Sequence, residues 1–272
     1  MIGAREATAF ALLPVVLAAI IFLPAEVYLA LVWIFTMLAV RELLALLARL
    51  GHPAPQAPTL VAVGLALPLL WYLGLPAAGG VLALVLLGVP LAYLLGRYPI
   101  AGATAGISGA TFAALYFAAT GGAMGLLRTA FAGTLGIKVV LTHCLTMWGG
   151  DSGAYYVGSR FGRHRLAPKV SPKKSWEGVA GGVALTAFGV WFCRTVFFHE
   201  LPLTIAIALF ALLSVLAPLG DLVESLFKRD AGVKDSSDLI PGHGGFLDRT
   251  DSLYFAAPFT LALFLWLLGT PA

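Results

Sequence analysis

Five acidic residues stand within or beside long apolar runs of this sequence. They are Asp151, Asp221, Glu224, Asp248 and Asp251. A carboxylate within a membrane span is costly, so it indicates a functional site by default. Carboxylate oxygens are also the ligands that Mg²⁺ prefers, usually one or two of them beside phosphate oxygens of a substrate. The residue types therefore favour cation and phosphate chemistry.

The most informative polar pattern closes an apolar run at its C-terminal end. Asp221, Glu224, Ser225 and Lys228 follow the i, i+3, i+4, i+7 spacing of one helix face. A membrane helix with such a stripe must turn it toward protein or water rather than lipid. The alternative interpretation is an amphipathic helix end that emerges into solvent, with its lysine reaching toward the interface.

A loop rich in glycine follows this helix and leads to the next acids. Pro241 precedes His243 and three glycines, Gly242, Gly244 and Gly245. Backbone amides in such a loop can approach an anion closely. Asp248 and Asp251 follow on the first turn of the last helix, where capping is the alternative role. For His243, the alternative to a contact with the anion is that of an ordinary solvated loop residue.

Two further polar segments lie upstream. Asp151 is flanked by glycines in an apolar run; small-residue packing explains the glycines but not the acid. The second segment, residues 171–178, carries Lys173 and Lys174, which the usual excess of basic residues in cytoplasmic loops would also explain.

The elements that position these residues follow from composition. Of 272 residues, 60% are hydrophobic and only 11% are charged, whereas a soluble domain has about a quarter charged. The sequence predicts an all-α, polytopic integral membrane bundle of about nine transmembrane helices. The predicted spans are 8–24, 27–48, 58–75, 80–96, 104–126, 132–157, 178–198, 202–223 and 252–270. A secretory signal peptide is the alternative for the first run.

The basic residues indicate the orientation. With the N-terminus in the cytoplasm, all Lys and Arg fall on the inner side except Arg128, Lys138 and Arg194, among 17 in total. The net charge of +4 then reflects topology, and we expect no nucleic-acid partner. Cys144 and Cys193 lie in apolar runs and are expected to serve packing.

The run from Ser225 to Asp251 closely resembles the signature of the phosphatidate cytidylyltransferases, also called CDP-diglyceride synthases. It covers 27 residues with every fixed position filled, and the segments 151–155 and 171–178 look like further motifs of that family in the expected order. The resemblance implies a bacterial inner-membrane enzyme, usually dimeric, that converts CTP and phosphatidic acid to CDP-diacylglycerol and diphosphate at the cytoplasmic face. It is specific over about residues 150–251, so residues 1–130 are expected to form a scaffold with dimer contacts and residues 131–272 the catalytic region.

The resemblance also implies the site. It assigns Mg²⁺ to Asp221 and Asp248, with K⁺ as a companion metal. The residues expected to act in catalysis are Asp221, Asp248, Lys228, Arg229 and Asp251. Those expected to bind substrate are Asp151, Ser171, Lys173, Lys174, Glu177, Ser225, Lys234, Asp235, His243, Gly244, Gly245 and Arg249.

Two other functions share features with this pattern. A CTP-dependent kinase of lipid alcohols would also bring CTP to a membrane substrate, but the full pattern from Ser225 to Asp251 argues against it. A secondary transporter is a different class that uses intramembrane acids. The sequence shows no convincing internal repeat, and the acids collect at one predicted membrane face, which favours interfacial chemistry.

Overall fold

The computed structural model describes residues 14–52, 54–96, 98–239 and 244–268, with the backbone alone at 267 and 268. Within these ranges the chain is almost entirely helical. The helices are α1 (residues 14–22), α2 (Ala25–Arg49), α3 (Gln56–Leu73), the 3-10 turn η1 (Leu75–Ala77), α4 (Ala78–Leu95), α5 (Ala103–Thr129), α6 (Leu135–Phe161), α7 (Trp176–Val196), α8 (Leu203–Asp230) and α9 (Leu247–Leu268). Two short strands, β1 (Arg165–Ala167) and β2 (Ser171–Ser175), separate α6 from α7.

Each predicted span overlaps one of these helices. Among the described residues, six stretches are long and apolar enough to cross a membrane: α2, α3, Leu75–Leu95, α5, α7 and α8. The remaining long helices, α6 and α9, are the ones that carry Asp151, Asp248 and Asp251. The protein is therefore an all-helical membrane protein, as predicted. Arg5, the start of the first predicted span and the end of the last lie outside the described residues.

The chain divides into two compact units that are not continuous in sequence. Unit 1 contains the chain up to Thr129 together with Phe227–Thr250, and unit 2 contains Ala130–Leu226 together with the chain from Asp251 onward. Helices α8 and α9 each contribute residues to both units. The segment 227–250, which the sequence analysis placed with the C-terminal region, thus groups with the N-terminal helices.

Unit 1 is held together by polar contacts between apolar helices. The Trp71 indole donates to the carbonyl of Gly122 at 3.0 Å, and the Tyr28 hydroxyl donates to that of Met124 at 3.0 Å. A side chain at Gly125 would collide with the Trp71 ring. The small residues of α5 therefore let α3 approach closely, as membrane helix interfaces commonly require.

In unit 2, α6 and α7 pack closely against each other. A Cβ on Gly182 would lie 3.2 Å from the carbonyl oxygen of Gly150, and one on Gly178 would lie 2.9 Å from that of Ala154. The glycines on both helices thus bring the two backbones into contact. Close packing accounts for the glycines around Asp151, as the sequence analysis allowed.

The hairpin of β1 and β2 was not expected from the sequence, which predicted a loop over residues 158–177. The strands pair antiparallel, with Arg165 opposite Ser175. Ser175 then caps α7, since its hydroxyl accepts from the amide of Gly178 at 3.1 Å. A strand followed directly by a capped helix fixes the direction in which β2 presents its lysines.

Candidate functional site

The polar stripe of α8 is buried at Glu224 and Ser225 and partly exposed at Asp221. Glu224 and Ser225 are 1% and 6% exposed, whereas the neighbouring Leu226 is 51% exposed. The Ser225 hydroxyl donates to the Asp221 carboxylate one turn earlier, at 3.4 Å. Glu224 and Ser225 thus face protein, whereas Asp221 is also reached by solvent, and the expectation allowed both protein and water.

Within unit 2, three carboxylates from two helices come together. Asp221 and Glu224 of α8 and Asp251 of α9 each offer an oxygen, and these oxygens all lie within 4.8 Å of one another. Gly220 makes this approach possible, because a Cβ there would lie only 2.8 Å from the Cα of Ser252. The two helices therefore touch beside the acids, and among the described residues this is the group of acids close enough to share a cation.

Lys174 of β2 compensates part of this negative charge. Its ammonium lies 2.6 Å from Asp221 Oδ2 and 3.4 Å from the carbonyl oxygen of Pro218. The side chains of Lys174 and Asp221 remain 21% and 39% exposed, so solvent reaches both groups. The neighbouring Lys173 is exposed, and Ser171 is half-buried at the start of the same strand.

Asp151 of α6 contacts the same region of α9. The hydroxyl of Ser252 donates to Asp151 Oδ2 at 3.1 Å, and the amide of Ser252 donates to Asp251 Oδ1 at 2.6 Å. Ser252 thus links Asp151 of α6 with the cluster of carboxylates on α8 and α9. The structure brings together Asp151, Asp221 and Asp251, as the sequence analysis expected for their helix ends.

Glu177, a predicted substrate-binding residue, fastens the hairpin. Its carboxylate accepts from the amides of Arg163 and His164 at 3.1 and 3.2 Å, and from the His164 ring at 2.6 Å. Its contacts are thus with the entry to β1, and they orient the strand that carries Lys174.

A second polar network lies in unit 1 and centres on Asp248. Lys228 Nζ lies 2.5 Å from Asp248 Oδ1. The other oxygen, Oδ2, accepts from the amides of Ser236 and Gly245 at 2.8 and 2.9 Å, and from the Ser236 hydroxyl at 2.7 Å. Asp248 is therefore surrounded by donors from its own unit and joins the end of α8 to the start of α9.

Glu42 is a member of this network that the sequence analysis did not assign. Its carboxylate accepts from the Ser237 hydroxyl and from the amides of Phe246 and Leu247. It also lies within hydrogen-bond distance of the Ser236 hydroxyl, whose single hydrogen it shares with Asp248. The available signal was an acid inside an apolar run of α2. Glu224 and Ser236 were likewise not among the assigned site residues, although Glu224 was recognised as part of the polar stripe.

The other predicted site residues between the end of α8 and the start of α9 are more exposed. Arg229, Lys234, Asp235 and Arg249 are at the surface, and Arg229 donates to the carbonyl of Val233 at 2.9 Å. Gly244 has a φ of +73°, and a Cβ there would lie 2.6 Å from Asp248 Oδ2. Glycine is thus required at 244 for two reasons. His243, Pro241 and Gly242 lie outside the described residues.

The fold and these polar groups define a class of protein. It is a helical membrane protein with a cluster of three carboxylates suited to a hard cation, and with basic side chains suited to phosphates. The comparisons with known proteins agree. Residues 3–267 match the cytidylyltransferase family, and the chain belongs to that family.

Curated relatives carry a more specific name. The chain is 52% identical over 132 residues to the phosphatidate cytidylyltransferase of Haemophilus influenzae, a match that covers 46% of this chain and 44% of the relative. It is 46% identical over 132 residues to that of Pseudomonas aeruginosa, covering 48% of each. For Bacillus subtilis the identity is 42% over 132 residues, covering 47% of this chain and 49% of the relative. The chain thus spans about half the length of the curated relatives it matches.

Proposed function

We propose that this protein joins CTP to phosphatidate, giving CDP-diacylglycerol and diphosphate. Family membership and the name shared by the curated relatives support this activity. The structural observation that supports this activity most directly is the cluster of three carboxylates, Asp221, Glu224 and Asp251, with the Lys174 ammonium at its edge. Carboxylates that can hold a cation, with a lysine ammonium beside them, suit a reaction between two polyanionic phosphates.

The reaction needs positioning and charge neutralisation more than it needs proton transfer. A phosphate monoester has its second pKa near 6, so the attacking oxygen of phosphatidate is ionised at neutral pH. This oxygen forms a bond to the α-phosphorus of CTP, the bond to the β-phosphate breaks, and diphosphate leaves with the electron pair. No general base is required, so His243 is proposed to contact a phosphate or ribose rather than to take a proton.

The unit 2 acids are compatible with Mg²⁺. Mg²⁺ prefers carboxylate oxygens, and one oxygen from each of the three carboxylates lies within 4.8 Å of the others. Asp221, Glu224 and Asp251 would hold the ion, which supplies Lewis-acid polarisation of phosphate oxygens. The pairing of Asp221 with Asp248, and the companion K⁺, stay predictions from the resemblance.

The basic residues are proposed to bind the phosphates of the two substrates. Lys174 is the best supported, because it lies beside Asp221 and remains partly exposed. Those proposed to join it are Lys173, Lys228, Arg229, Lys234 and Arg249. Ser171, Ser225, Asp235, Gly244 and Gly245 complete the proposed substrate contacts, and the contacts of Glu177 support an indirect role through the hairpin.

The proposed setting is the bacterial inner membrane, with nine spans, the N-terminus in the cytoplasm and the site on that side. The distribution of Lys and Arg supports this orientation. The acyl chains of phosphatidate would remain in the bilayer while its headgroup meets a soluble nucleotide. A homodimer is proposed from the resemblance alone.

Labelled CTP tests the proposal. Purified protein in detergent receives phosphatidate, Mg²⁺ and CTP labelled at either the α- or the γ-phosphorus. We expect α-label in the organic phase and γ-label only in water, no transfer from other nucleoside triphosphates, and loss of transfer with EDTA. Asp221→Asn should abolish turnover while the protein stays folded. Transfer of γ-label to lipid would indicate a kinase and refute the proposal, as would the absence of α-label from the lipid.

A further inference from the structure

Glu42 is an acid of α2 that is almost completely enclosed. It is 4% exposed, and it lies in α2 between Arg41 and the apolar residues 43–46. The four groups that donate to it are 194 to 205 residues away in sequence. A buried carboxylate with so many distant donors has a specific task in holding the chain.

The two oxygens of Glu42 are used in the same way. Oε1 accepts from the Ser237 hydroxyl at 2.6 Å and from the amide of Phe246 at 3.1 Å. Oε2 accepts from the Ser236 hydroxyl at 2.9 Å and from the amide of Leu247 at 2.7 Å. Each oxygen thus faces one hydroxyl and one backbone amide. The hydroxyls can rotate, and the single hydrogen of Ser236 points either to Glu42 or to Asp248, whereas the amides are fixed donors.

This arrangement excludes glutamine. A glutamine side chain has one acceptor oxygen and one NH₂ group, which only donates. Whichever way it is oriented, its NH₂ meets the amide hydrogen of Phe246 or Leu247. The site therefore requires a carboxylate, and the isosteric amide is expected to be no better than alanine.

The amides that Glu42 binds belong to the beginning of α9. Leu247 is the first residue of that helix, and its first amides have no partner within the helix. The carboxylate also compensates the partial positive charge of the helix N-terminus. Glu42 thus acts as a cap for α9, supplied by a different helix.

The cap is connected to Asp248 through Ser236. The hydroxyl oxygen of Ser236 lies 2.9 Å from Glu42 and 2.7 Å from Asp248. Gly245 lies against the same groups, because a Cβ there would collide with the Ser236 hydroxyl and the Glu42 carboxylate. A change at Glu42 is therefore transmitted to the residue that pairs with Lys228.

We propose that Glu42 is a positioning residue for the phosphate-transfer reaction: it fixes Ser236, Gly245 and the first turn of α9, and through them the Lys228–Asp248 pair. This inference rests on the proposed function for its kinetic consequence, but its structural part does not depend on it. The residue touches no reacting atom. Its role is to keep the donors around Asp248 in one arrangement.

The kinetic test compares Glu42→Gln and Glu42→Ala with Glu26→Gln. Glu26 is an exposed acid in the first turn of the same helix, so this control makes the same chemical change without disturbing the network. We expect both Glu42 variants to lower kcat about tenfold to a hundredfold, the size of a small misplacement of reacting groups. KM for CTP should change less than threefold, as should both constants in Glu26→Gln. A Glu42→Gln enzyme with near-normal kcat would overturn the proposal.

Amide hydrogen exchange in detergent tests the same idea without activity. In both Glu42 variants, peptides covering 244–250 should exchange at least tenfold faster than in the unchanged protein, while peptides of α6 and α7 and all peptides of Glu26→Gln stay the same. Unchanged exchange at 244–250 would refute the positioning role, and so would faster exchange throughout the chain, which indicates general unfolding. If the unchanged protein makes no CDP-diacylglycerol, the proposed function fails, and the exchange result still decides the role of Glu42.

Discussion

The buried Lys228–Asp248 pair allows a prediction of how much stability is lost when one of its charges is removed. The two side chains are 10% and 5% exposed and lie 2.5 Å apart. Lys228→Met removes the cation with little change in volume. It leaves Asp248 with its three donors from Ser236 and Gly245, but without its counter-charge.

The magnitude follows from how a buried charge behaves when its partner is removed. Breaking a buried ion pair costs about 3–5 kcal/mol, whereas replacing both partners by neutral groups is often close to neutral. Because Asp248 keeps the hydrogen bonds from the amides of Ser236 and Gly245, we expect Lys228→Met to destabilise by about 3 kcal/mol. In Asp248→Asn the amide oxygen turns to the backbone amides and its NH₂ meets the ammonium, so we expect about 3–5 kcal/mol.

The double variant decides whether this reasoning is right. Lys228→Met with Asp248→Asn leaves no charge at these two buried positions, so its loss of stability should be smaller than that of Asp248→Asn alone. The measurement is the free energy of unfolding in mixed detergent micelles during an SDS titration, followed by tryptophan fluorescence. Single-variant effects that simply add in the double variant would refute the claim that the two charges compensate one another.

Two predictions concern the unit 2 acids. Lys174→Met should lower kcat by about 10²-fold, as loss of a charge beside a reacting phosphate does. Lys169→Met, in the exposed hairpin turn, serves as the control. Equal activity of the two variants would exclude a role for the contact between Lys174 and Asp221. Gly220→Ala should destabilise by about 1–3 kcal/mol through overpacking against α9 and reduce activity, whereas Gly79→Ala, where a Cβ meets nothing within 4 Å, should do neither. Thermal unfolding in detergent and labelled-lipid formation measure both effects.

The helices and the direction of the polar stripe were predictable because local rules govern them. An apolar run in a membrane must pair its backbone groups within the segment, so it becomes a helix whatever surrounds it. In the same way, the spacing of Asp221, Glu224 and Ser225 determines that they share a face. Neither statement depends on which distant residue packs against that face.

The partners of each acid could not be predicted, because they depend on distant parts of the chain. Asp248 and Asp251 stand three apart on one helix, yet the first binds donors from 236 and 245 and the second groups with Asp221 and Glu224. Glu42 looked like any other acid in an apolar run, since its donors begin 194 residues later. The hairpin also escaped prediction, because the residues 171–175 lack the apolar alternation of a strand.

A physical reason connects the lysines to the two aspartates that the resemblance assigns to metal. A carboxylate that is removed from water, wholly or in part, is costly unless hydrogen bonds or a counter-charge compensate it, including when no substrate is present. Lys174 does this for Asp221 in unit 2, and Lys228 does it for Asp248 in unit 1. Each ammonium occupies one carboxylate oxygen and has three donors, so it can exchange that oxygen for a phosphate oxygen without losing a charged partner. Under the proposed function, the acids would keep the lysines in place for phosphates, and the lysines would offset the charge of the acids before any cation arrives.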